Sequence, residues 1–238
     1  MKKIKMGRFA AVLALVLCTA MLFSSCGLSK LMGERNITIL VRGNLDENYL
    51  GEFDEDYLEL IDSTKEDAEA TYLESMATSA DYFAYYWGII GQYESIEDLE
   101  PELQTALIEL MKEIYSHAKY EVKTADLQSD GVYNVKIVID PIDINARADE
   151  LYESGTYEPL ETFFEKTENL DFDNMSDDEY WKFSNEYGWI IVEMFESLIP
   201  NLGYGEQKSM IMQVGEIDGY FQISDDDFSL FDSYVLTY

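Results

Sequence analysis

A cysteine that follows a small-residue pair at the end of an apolar run is a thiol presented for acylation, and Leu22-Phe23-Ser24-Ser25-Cys26-Gly27 has that form. The chemistry is transfer of a diacylglyceryl group to the Cys26 sulfur, followed by cleavage of the Ser25–Cys26 bond. Lys2, Lys3, Lys5 and Arg8 make the start cationic. Phe9 to Phe23 is apolar, but too short and too one-sided in its flanks for an ordinary transmembrane span. Residues 1–25 therefore read as a lipoprotein signal peptide and 26–33 as a lipidated cysteine with its tether. Phe23 stands where leucine is usual; secretion with cleavage nearby, or retention as an uncleaved anchor, are the alternatives. Cys18 leaves with the leader, so acylation of Cys26 removes the last thiol and excludes disulfides, cysteine-ligated metal and a cysteine nucleophile. Two acyl chains anchor stably where one binds reversibly, each buried methylene contributing ~0.8 kcal/mol. The expected location is the outer face of the bacterial cytoplasmic membrane.

The remaining residue types offer less chemistry. His117 is the single histidine, so a histidine metal site or a Ser-His-Asp triad is built around it or not at all. At the end of a helix and beside Lys119 it has a structural use, interacting with the carbonyl end of that helix. No Gly-rich phosphate loop, nucleophile elbow or zinc-protease helix motif occurs. Carboxylates are abundant enough that pairs suited to glycoside hydrolysis arise by chance. Asp171-Phe172-Asp173-Asn174 begins like a calcium loop without its central glycine or closing glutamate, and Asp225-Asp226-Asp227 stands at a helix start. We expect weak divalent binding there, no dedicated metal site and no cofactor beyond the lipid on Cys26. Trp181 and Trp87 are the candidate ligand-binding aromatics, Trp181 because it lies off the main apolar stripe of its helix.

Charge narrows the partners. The chain has a net charge of −32, and the leader holds four of its 16 basic residues and none of its 48 acidic ones, so cleavage takes the charge to −36. Such a field repels nucleic acid and anionic headgroups and favours cations or basic partners, besides keeping the domain soluble. With 14% aromatic and 47% hydrophobic residues the chain is too apolar for disorder. Residues 34–238, undivided by a Pro/Gly/Ser-rich linker, are expected to form a single extracytoplasmic domain.

The elements that position these residues follow from periodicity. Ile37, Leu40, Val41, Leu45 and Tyr49 predict an amphipathic helix over 34–50, with a short helix near Asp54 to Ile61. Ser63 to Asp67 caps a long helix whose stripe runs through Tyr72, Met76, Ala80, Phe83, Trp87 and Ile90. Pro101 opens a third, over 98–117. Alternation through Tyr120, Val122 and Thr124, the Ser129-Asp130-Gly131 turn, and Tyr133 to Ile139 predict a hairpin ended by Pro141. Residues 144–168 are helical but interrupted at Gly155 and Pro159. Ser176 to Glu179 is a capping box opening a helix to Pro200. A second hairpin turns at Asp218-Gly219, and a short helix around Phe228 and Phe231 ends the chain. The order argues for an α+β fold, amphipathic helices packed on a curved antiparallel sheet formed from two hairpins.

The Val41-Arg42-Gly43-Asn44 segment in an early helix, the lipobox, the long helix and a Tyr-Glu-Val-Lys strand returning through an Asp-Gly turn resemble uncharacterised lipoproteins of Gram-positive anaerobes. The likeness covers most of the mature chain. It implies a cone-shaped domain similar to nuclear transport factor 2 and ketosteroid isomerase, with this chain having more helix between its hairpins. Together these features lead to a membrane-anchored, non-enzymatic module that binds a protein, an envelope polymer or a small ligand. The alternatives are a carboxylate-based hydrolase or carbohydrate-binding protein acting on envelope or dietary glycans, and an accessory subunit of an envelope complex.

Overall fold

The computed structural model describes residues 33–91, 93, 95–217 and 220–238. The leader, Ser25, Cys26 and the tether up to residue 32 lie outside the described residues, as does the Asp218-Gly219 turn. The fold is α+β, with eight α-helices among the described residues and a curled antiparallel sheet. The described residues form two compact units: 33–78, 118–141 and 206–235 make the first, and 79–117, 142–205 and 236–238 the second.

The first unit holds the sheet. Its strands are β1 (Lys119–Val122), β2 (Asp126–Leu127), β3 (Tyr133–Asp140), β4 (Lys208–Ile217) and β5 (Tyr220–Ile223), in the order β1-β3-β4-β5 with β2 also pairing β3. Every pairing is antiparallel, and the β3–β4 register, Val135 opposite Met212 and Ile137 opposite Met210, joins the two expected hairpins. Period-two alternation turns Tyr133, Val135, Ile137 and Ile139 to the same buried face as Met210, Met212 and Val214. On that face pack α1 (Glu34–Leu45), through Ile37, Leu40, Val41 and Leu45, and α8 (Asp225–Val235), through Phe231 and Val235. The Phe231 ring meets Tyr49 at 5.0 Å and Tyr120 at 5.3 Å, both edge to face. The helix α2 (Glu55–Ile61) is capped by Asp54, whose side chain accepts from the Tyr57 N–H at 3.1 Å.

Two boundaries differ from the periodicity. The expected helix over 34–50 keeps α geometry only to Leu45, and Asp46–Leu50 forms a π-helical turn closed by a bond from the Gly51 N–H to the Asp46 carbonyl. The wider turn holds one extra residue, and Glu47, Asn48 and Tyr49 are all buried in it. The long helix α3 (Lys65–Tyr86) ends one residue before Trp87, where Gly88 adopts a φ of +72° that only glycine takes without strain.

The second unit is helical: the end of α3, then α4 (Pro101–Ser116), α5 (Ile144–Ser154), α6 (Glu158–Thr167) and α7 (Asp177–Leu198). The expected interruption is present, Gly155 ending α5 at a φ of +62° and Pro159 lying in the first turn of α6. The capping box is present too, with the Ser176 side chain accepting from the Glu179 N–H and Glu179 answering to the Ser176 N–H at 3.0 Å. Buried Asn185 fixes the start of α4, accepting from the Glu100 N–H at 2.8 Å and donating to the Trp181 carbonyl at 2.7 Å. Arg147 is consumed in a clamp: it donates to Asp143 Oδ2 at 2.9 Å and to the Asn201 carbonyl at 2.6 Å, while Asp143 Oδ1 accepts from the Gly203 N–H at 2.8 Å.

Candidate functional site

The described residues place a groove of about 530 Å³ in the first unit, along the outward face of α1. Residues at successive turns, Arg35, Thr38, Arg42 and Asp46, line it because three- and four-residue steps return to one side of a helix. Asp54 and Asp56 face them from the start of α2, and Thr124 from the segment after β1. Thr38 ties two of these segments together, accepting from the Ala125 N–H at 2.9 Å while donating to the Glu34 carbonyl at 2.7 Å. Arg35 reaches Asp56 at 3.4 Å across the groove mouth, an exposed pair of little energetic weight. Arg42 is anchored by a bond from Nη2 to the Val122 carbonyl at 3.2 Å. A guanidinium carries five N–H donors, so this bond fixes its position without exhausting it.

Asp46 is common to this groove and to a second one, of about 360 Å³, walled by Lys119, Tyr120, Val138, Asp140 and Gln207. The Tyr120 hydroxyl donates to Asp46 Oδ1 at 2.7 Å. Burial raises the Asp46 carboxyl above its ordinary value; the Tyr120 bond and Arg42 oppose this, and Glu52 and Asp54 add to it. Tyr120 is pushed well above the usual phenol range, first by burial and then by the Asp46 charge, so it remains a donor at any physiological pH. The arrangement offers a fixed carboxyl and a fixed guanidinium one helical turn apart beside open volume, which suits holding a polar ligand.

Directly behind this surface Glu47 is 1% exposed. Tyr57 bonds to it, but Oε2 has no hydrogen-bond partner. Burial raises its pKa from 4.5 to about 7, against the lowering effect of Tyr57 and Thr71. Next to it Asn48 accepts from the Ser75 hydroxyl at 2.7 Å and donates to the Asn44 carbonyl at 2.8 Å.

The residues singled out by sequence fall elsewhere. Trp181 is 38% exposed, its ring fixed by a bond from Nε1 to the Asp98 carbonyl at 3.1 Å. Trp87 is 7% exposed and packs edge to face on Phe195 at 5.1 Å, so it belongs to the core of the second unit and not to a surface. His117 caps α4, its Nε2 lying 3.4 Å from Glu113. Asp171 accepts from Asn174 at 2.8 Å and Asp227 from the Gln213 N–H at 2.7 Å, so both serve local structure. Among the described residues no group of three His, Cys, Asp or Glu is arranged to hold a metal ion. No described helix is long and apolar enough to cross a membrane. Arg42, Asp46 and Glu47 carry signals of their own: Arg42 and Asp46 form an i,i+4 pair of opposite charge, and Glu47 stands seven residues after buried Leu40, on the apolar side of the helix.

No protein-family model matches the chain, and no curated protein matches it in sequence. Among solved structures it is similar to a Bacillus subtilis protein described as a “putative lipoprotein (ycdA)”, with a TM-score of 0.53 and 12% identity. The match covers 85% of this chain and 56% of that one, so the chain spans little more than half the length of its structural neighbour. At this identity the likeness establishes a shared fold.

Proposed function

We propose that this chain is a lipid-anchored extracytoplasmic binding protein that holds a small polar ligand in the α1 groove without transforming it. The groove is the observation that carries the proposal: about 530 Å³ of open volume, within the range of small-molecule sites, with Arg42 and Asp46 held beside it by bonds to β1 residues. The lipobox at Cys26 and the lipoprotein description of the structural neighbour support the anchor. The curved sheet with α1 and α8 on its inner face is, on this proposal, the counterpart of the cone in nuclear transport factor 2.

Two experiments test it. Cys26→Ala is expected to abolish incorporation of labelled fatty acid and to move the protein from the detergent phase to the aqueous phase on partitioning; a variant that keeps its label overturns the anchor. For the groove, the full chain in mild detergent is exposed to amino acids, short peptides, oligosaccharides and polyamines while amide exchange is followed. Protection confined to residues 34–56 and 118–125 is expected. A panel without effect, or protection elsewhere, overturns the groove.

The glycan alternative is favoured by one feature of the second unit. Trp181 and Phe172 are both exposed, each a ring face of the kind on which a sugar stacks, and Phe172 meets Phe183 edge to face at 5.0 Å. Oligosaccharide protection around residues 170–185 that is lost in Trp181→Ala would select it.

A further inference from the structure

Only three arginines follow the leader, Arg35, Arg42 and Arg147. Arg147 is spent on the Asp143 clamp of the second unit. The other two line one groove, in a protein whose mature charge is −36, and they line it together with the carboxylates of Glu34, Asp46, Asp54 and Asp56. This composition excludes ligands of a single sign. A plain anion meets the surrounding negative field and four nearby carboxylates. A plain cation meets two guanidinium groups in the same groove. A ligand that carries both signs satisfies the two sets at once, provided its charges are spaced as the groove spaces its own.

That spacing is short. The backbone positions of Arg42 and Asp46 are four residues apart, which on a helix is a rise of about 6 Å. An extended dipeptide spans about 7 Å between its ends. Neither group needs to move: Arg42 is pinned on the Val122 carbonyl and Asp46 by the Tyr120 hydroxyl, and a preformed pair spares the ligand the cost of ordering it. Planar, bidentate carboxylate binding is what an arginine does better than a lysine. We infer that the α1 groove is a site for zwitterionic short peptides, the ligand carboxylate on Arg42 and the ligand ammonium on Asp46, with Asp54 and Asp56 completing the acidic side.

This inference rests on the groove proposed above and is tested separately from it. The probes are dialanine, N-acetyl-dialanine and dialanine amide, titrated calorimetrically into the full chain in mild detergent. Dialanine is expected to bind, and removing either end charge to weaken it at least about tenfold, the loss of one charge-assisted contact. Arg42→Gln should erase the preference for a free carboxyl, making dialanine and its amide equal. Asp46→Asn, whose amide oxygen still accepts from Tyr120, should erase the preference for a free amine. Capped peptides that bind as tightly as dialanine overturn the inference, as do variants that lower all three affinities alike. If dialanine fails while another ligand class protects the groove, the zwitterion inference falls and the groove stands. If nothing protects the groove, both fall.

Discussion

Gly43→Ala is expected to destabilise the protein by about 3 kcal/mol, at the upper end of the cost of overpacking a filled interior. A Cβ at this position would overlap the Tyr57 ring at Cγ and Cδ2 and its Cβ. These atoms lie next to the backbone of a residue with no exposed surface, so the side chain has no way to swing aside. The strain must be relieved by moving α2 away from α1, which opens the bond between Tyr57 and Glu47 and the contacts of the groove's acidic side. Gly215→Ala is the control, because a Cβ there meets nothing within 4 Å and should cost less than about 0.5 kcal/mol. Urea denaturation of the two variants compares them directly. If Gly43→Ala unfolds at the same midpoint as Gly215→Ala, the close approach of α1 and Tyr57 is wrong. The glycine in the Val41-Arg42-Gly43-Asn44 segment thus has a packing cause.

The second large effect is on pH dependence. Glu47 has its pKa raised from 4.5 to about 7 in the folded chain. A raised carboxyl favours the protonated form in the fold, so its contribution to stability is complete below about pH 4.5 and is lost as pH rises through about 7. The difference of roughly 2.5 units corresponds to about 3 kcal/mol. Asp46, Asp149 and Asp227 are raised as well, chiefly by burial, and act in the same direction. Unfolding free energy should therefore fall between pH 5 and pH 8. Glu47→Gln keeps the shape and an acceptor for Tyr57 while removing the proton, so it should stabilise by about 3 kcal/mol at pH 8 and by far less at pH 5. Denaturation curves at the two pH values decide the matter. An unchanged pH slope in the variant would show that Glu47 is not the group responsible.

Local patterns were legible in the sequence and convergent ones were not. Alternation in Tyr133 to Ile139 and Met210 to Val214 reports a single buried face, and that face exists whichever partner the strand finds, so both hairpins could be read. The helix interruption at Gly155 and Pro159 and the capping box at Ser176 depend on neighbours within one or two turns and were equally readable. The groove gathers residues 34–46, 54–56 and 124, and their meeting depends on how α1 and α2 come together at Gly43, which no period encodes. Trp87 belongs with the local patterns: it stands four residues after Phe83 and its backbone N–H donates to the Phe83 carbonyl at 3.0 Å, so the helical stripe carries both rings onto Phe195.

The π-helical turn at Asp46–Leu50 acts as a change of phase. Its one extra residue rotates everything after it relative to α1, so the chain before it and the chain after it answer to different faces. Deleting a single residue here would restore continuous winding and shift the phase of the segment from Gly51 onward by about 100° relative to α1. A one-residue gap between Leu45 and Gly51 is accordingly the change that would re-aim the segment carrying Asp54 and Asp56 relative to the arginines of α1.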